Sequence, residues 1–69
     1  PDLGAVIRLA LADLPPRTAQ MVALHYLEGF SHRAVGEILG TNANVVAVSL
    51  HRARGRLREA VAASLGETS

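Results

Sequence analysis

Apolar positions along the chain recur at three- and four-residue intervals, and turn-forming residues divide them into four stretches. In the first, Leu3, Val6, Ile7, Ala10, Leu11 and Leu14 form one stripe, which predicts a helix from about Leu3 to Asp13. Pro15-Pro16 stops it, because a proline pushes the preceding residue out of helical conformation. The second helix is predicted from about Pro16 to Leu27, with Met21, Val22, Leu24 and Tyr26 on a broad apolar face. Proline suits its first turn, where the missing N–H has no helical partner anyway. Gly29 is placed for a left-handed C-terminal cap, with Phe30 folding back on the last turn.

The third stretch is short. Ser31 is its natural N-cap, since the hydroxyl accepts from a first-turn N–H. The helix is expected over His32 to Leu39, with Val35, Ile38 and Leu39 facing inward and Gly40 closing it. Gly36 sits in its middle, where glycine is less favourable than alanine by up to about 1 kcal/mol, so a close helix crossing is expected there. The fourth helix starts at the N-cap Asn42 and runs to about Leu65 on the stripe Val46, Leu50, Ala53, Leu57 and Val61. Gly66 marks its end, and the last residues are expected to fray. No stretch alternates with the period of a strand, and no internal repeat occurs. The expected fold is all-α: a single four-helix domain over residues 1–69, with a C-terminal helix-turn-helix at about 31–54.

Composition narrows the class. A chain of 69 residues is one domain, and one that buries only about 60% of its unfolded surface. Apolar residues make up 49% and aromatics 3%, so the core must come from Leu, Val, Ile and Ala. With no Cys there is no disulfide, which fits a reducing compartment, and a cytoplasmic location is expected. No apolar run reaches the roughly 18 residues of a membrane span. Pro1-Asp2-Leu3 shows no charged leader before an apolar stretch, so no signal peptide is expected. Pro1 either follows a removed initiator Met or begins an excised fragment of a longer protein.

Charge is more informative by position than in total. The formal net charge is only +1, and every basic residue is Arg. Residues 41–58 carry Arg52, Arg54, Arg56 and Arg58 with no acid, whereas the segments on either side are net negative. A local basic stripe is the footprint of a polyanion-binding element, or else a solvated helix face. Catalysis and metal binding find no support. A zinc site needs three or four convergent ligands, while His25, His32 and His51 fall on three separate helices with no acid at ligand spacing. No Cys, carboxylate pair or Gly-rich phosphate loop is present, and Ser31 opens a helix. The chain is therefore expected to be no enzyme and to hold no metal or cofactor.

The third and fourth stretches together have helix-turn-helix grammar: a short capped helix, a tight turn at Gly40-Thr41-Asn42, then a longer helix. In that motif the second helix enters the major groove and its N-terminal residues reach base edges. Taken alone the pattern is unspecific, because many small helical domains share it. A longer string carries more. Leu14-Pro15-Pro16-Arg17 is followed by His25-Tyr26-Leu27-Glu28-Gly29-Phe30-Ser31, then Val35-Gly36-Glu37-Ile38-Leu39-Gly40, and finally Leu50-His51-Arg52-Ala53-Arg54-Gly55-Arg56-Leu57-Arg58. In register, these resemble region 4 of bacterial RNA polymerase sigma factors, in the form carried by the extracytoplasmic-function group. The resemblance runs from about Leu11 to Leu57. It implies sequence-specific binding of double-stranded promoter DNA at the −35 element through the fourth helix. It also implies that the first two helices hold the flap of the polymerase β subunit, and that an anti-sigma protein is a further partner. Leu11, Leu14, Met21 and Leu24 are the expected contacts for those proteins.

The chain departs from the family's pattern where bases would be read. The family usually carries Gly-Thr-Val-Lys/Arg-Ser-Arg there, and this chain has Asn44-Val45-Val46-Ala47-Val48-Ser49. With Val46 at the centre of the buried stripe, Val45 and Val48 project about 100° and 160° away and are expected to be exposed. Such valines can meet thymine methyl groups, can bind protein, or can be surface residues without a role. His51 and Arg52 keep the register of the groove-facing pair. Arg56 lies beside Arg52, while Arg54 and Arg58 lie on the opposite flank and suit phosphate or partner contact. Arg33 replaces an acid in the first turn of the third helix, where a cation opposes the helix dipole, and a phosphate would relieve this. The expected DNA-binding set is Arg33, Asn44, Val45, Ala47, Val48, Ser49, His51, Arg52 and Arg56, with Ser31, His32 and Arg54 as further phosphate contacts. Two other functions remain open. One is a sigma-like module that binds an anti-sigma protein or the flap tip, with weakened DNA readout. The other is a homodimeric regulator on two half-sites about 34 Å apart, although the isolated domain is expected to be a monomer.

Overall fold

The structure, a computed structural model, describes residues 2–66; the expected fraying falls on 67–69, outside the described residues. The fold is all-α, with α1 at Leu3–Ala12, α2 at Pro16–Val22 continuing into a wider π-helical turn at Ala23–Leu27, α3 at His32–Leu39 and α4 at Ala43–Gly66. Among the described residues no helix is long and apolar enough to cross a membrane.

Local chemistry sets most of the boundaries. The Asp2 side chain accepts from the Ala5 N–H at 3.2 Å and opens α1. Pro16 begins α2. Ser31 Oγ accepts from the Ala34 N–H at 3.1 Å to open α3, and Asn42 Oδ1 accepts from the Val45 N–H at 3.0 Å to open α4. Gly29 and Gly40 take left-handed conformations, with φ of 79° and 72°. After Gly40 the Thr41 N–H returns to the Gly36 carbonyl at 2.7 Å, closing α3 in a Schellman pattern.

The core is small and lies where α2, α3 and α4 meet. Met21, Val35, Val46 and Leu50 are fully buried, and Val22, Leu24 and Leu39 pack half-buried around them. Leu14 and Ala53 extend the core toward the proline turn. Among the described residues no polar or charged side chain is buried. The helix-turn-helix thus shares its core with α2, while α1 packs on α4 with no fully buried residue of its own. Beyond Ala53, the stripe residues Leu57 and Val61 are only half-buried, for there α4 has α1 beside it and no second layer.

Gly36 is the point of closest approach. A Cβ there would stand 2.9 Å from the Asn42 carbonyl carbon, so α3 and the start of α4 touch backbone to backbone, as the mid-helix glycine predicts. Arg17 adds a long-range tie by donating to the Leu39 carbonyl, the last of α3, where a cation also meets the negative end of the helix dipole.

Two expectations are corrected. Ile38 does not face inward but is 53% exposed. In a helix of two turns, Val35, Gly36 and Leu39 define the inner face, and Ile38 lies about 100° off its centre. The second helix also does not run as a plain α-helix to Leu27. Its last turn widens, with Glu28 N–H bonding the Ala23 carbonyl and Phe30 N–H the Leu24 carbonyl. An inserted residue of this kind changes the rotation of the turn that contains it, so Tyr26 leaves the expected apolar face and is half exposed.

Candidate nucleic-acid interface

The exposed side of α4 begins at its first turn. Asn44, Val45, Val48, Ser49 and Arg52 line one shallow cleft there. They are neighbours on a helix because 44, 48 and 52 form one four-residue row and 45 and 49 the next. Val45 is 43% and Val48 50% exposed, at the angles expected from a buried Val46. Ser49 and Arg52 continue into a second groove with Arg56 and Glu59, walled by Leu14, Pro15 and Thr18. Arg52 and Arg56 therefore share one flank. His51 is exposed, and Ala47 is half-buried.

Arg54 lies on the other flank. Its guanidinium donates to the Tyr26 hydroxyl at 2.6 Å and ties α4 to the π-helical turn. The bond is exposed, so Tyr26→Phe is expected to lower stability by no more than about 1 kcal/mol. Urea unfolding of the variant checks this, and a loss of several kcal/mol would mean that the tie organises the turn.

The residues expected at the start of α3 already have partners. Ser31 Oγ is engaged in the cap. His32 is half-buried against His25, ring centroids 4.6 Å apart, and His25 Nδ1 lies 2.7 Å from the Phe30 carbonyl oxygen. Two of the three histidines thus meet, which their positions on separate helices did not suggest. Among the described residues no group of three or more metal-ligating side chains forms. Arg33 pairs with Glu37 at 3.4 Å, both side chains largely exposed. Such surface pairs contribute little, so the guanidinium can exchange Glu37 for another anion at small cost.

The four apolar residues expected to meet a protein divide. Leu14 and Met21 are core residues, 6% and 2% exposed, and offer almost no side-chain surface to a partner. Their stripe positions are explained by packing against α4. Leu11 and Leu24 are half-buried. The most exposed large apolar side chains of α1 and of the π-helical turn are instead Leu9, 70% exposed, and Leu27, 82% exposed. Leu27 gives no signal in the sequence, because an apolar residue in the last turn of an apolar helix reads as core.

A family model described as sigma-70, region 4 matches residues 5–57. The chain is 37% identical over 67 residues to a protein named ECF RNA polymerase sigma factor SigE, from Mycolicibacterium smegmatis. That match takes in 97% of this chain and 26% of the relative, so the chain spans about a quarter of the relative's length. No solved structure matches the chain significantly.

Proposed function

The chain belongs to the sigma-70 region 4 family, and from that premise we propose that it is the promoter-recognition domain of a sigma factor, binding duplex DNA at the −35 element through α4. The observation that carries this reading is the gathering of Asn44, Val45, Val48, Ser49 and Arg52 in one cleft, on a helix with four arginines and no acid between residues 43 and 58. A major groove about 12 Å wide admits one helix. Lodged there, α4 presents the cleft to base edges, while Arg56 and the exposed Arg33 reach phosphates. Few polar side chains can read bases, so much of the affinity is electrostatic. With three to five phosphate contacts, log K falls against log salt with a slope of about −3 to −5. A titration across salt concentrations checks this, and a flat line would refute the reading.

Arg52→Ala separates base readout from backbone contact. It is expected to weaken the preferred duplex more than a random one, by about 1–3 kcal/mol if Arg52 is bidentate to guanine. Equal losses on both duplexes would make Arg52 a phosphate contact.

The exposure of Leu9 and Leu27 favours a protein-binding role beside the DNA-binding one. In this reading α1 and α2 hold the β flap of core polymerase or an anti-sigma protein, with Leu11 and Leu24 at the margin of the contact.

A further inference from the structure

We infer that Val45 and Val48 read thymine through its 5-methyl group, so that the duplex this chain prefers places thymines on adjacent base pairs against the cleft; this rests on the promoter-binding reading above. A valine side chain offers no donor and no acceptor. On the major-groove edge every base presents hydrogen-bonding groups, and thymine alone adds a methyl group, where cytosine has only a C5–H. A valine set against any other base would cover polar atoms without bonding them, which is unfavourable. The pair therefore selects for thymine and against the alternatives at once.

The geometry fits adjacent base pairs. Residues 45 and 48 are separated by only about 4.5 Å along the helix axis and line the same cleft, so their side chains reach neighbouring bases. Both valines are β-branched and hold essentially one χ1 rotamer in a helix, so their methyl surface is fixed. Val45 is fixed further by the bond from its N–H to Asn42 Oδ1. The cleft walls add to the readout. Asn44 suits adenine, the partner of every thymine, and Arg52 lies about 6 Å beyond Val48 along the axis, where it can take a phosphate or a guanine. The nearby charge favours nucleic acid over an apolar protein surface, since Arg52 lines the cleft and Arg56 the adjoining groove, with Glu59 the one acid there.

The test alters the DNA rather than the protein. Duplexes are selected from a random pool with this chain, then remade with deoxyuridine in place of single thymines, which removes one methyl group and nothing else. Affinity is expected to fall about four-fold per critical methyl, and about fifteen-fold for two, the equivalent of about 0.8 kcal/mol per buried carbon. In the double variant Val45→Ala/Val48→Ala the ratio of affinities for thymine and uracil duplexes should fall toward unity. Equal binding of thymine and uracil duplexes, with sequence preference intact, would overturn the methyl readout and leave the promoter reading standing. Absence of preference for any duplex would overturn both and assign the valines to a protein partner.

Discussion

Leu50→Ala is expected to destabilise the domain by about 2–5 kcal/mol, the range for truncating a fully buried leucine. Leu50 has no exposed surface and sits in the four-residue core where α2, α3 and α4 meet. At roughly 0.05–0.15 kcal/mol per residue, a domain of this length holds only about 3–10 kcal/mol in total. The substitution therefore removes a large share of it. Urea unfolding followed by helical circular dichroism gives the difference directly. Leu57→Ala, on the same stripe but half-buried beside α1, should cost clearly less. Equal losses would place the core further along α4 than Leu50.

Gly36→Ala is the second large effect, and its sign is opposite to what helix propensity alone suggests. Alanine gains up to about 1 kcal/mol in an exposed helix interior. At this position the new methyl meets Asn42 at 2.9 Å from its carbonyl carbon, 3.0 Å from Cα and 3.2 Å from N. All three are backbone atoms, so no side chain can swing aside. Relief requires α4 to move away from α3, and overpacking of this kind costs about 1–3 kcal/mol. The variant should melt lower. Its folded fraction should also bind DNA more weakly than lost stability explains, because Asn42 opens the helix that carries the cleft. Unchanged affinity in the folded fraction would mean that the turn absorbs the methyl without tilting α4.

Helix positions and most of their ends were legible because their causes are local. Ser31 and Asn42 cap in sequence, Gly29 and Gly40 end helices where side chains rarely follow, and Pro16 opens a turn. The exposure of Val45 and Val48 was legible too, since one buried residue fixes the phase of a regular helix. Legibility failed where phase was broken or the helix was short. The π-helical turn shifts Tyr26 and Leu27 relative to Met21, and nothing in an apolar run marks an inserted residue. Ile38 failed because two turns leave the inner face poorly defined.

The sequence by itself determined the helices, their caps, the contact at Gly36 and the basic stretch of α4, for each depends on neighbours a few residues apart. Only the tertiary structure decided how the apolar residues of the shorter helices divide between core and surface. It buried Leu14 and Met21, left Leu9 and Leu27 exposed, turned Arg54 to Tyr26 and Arg17 to Leu39, and set His25 against His32. These pairings join residues on different helices, and the angle at which two helices cross is set by their packed faces together, not by either stretch of sequence alone.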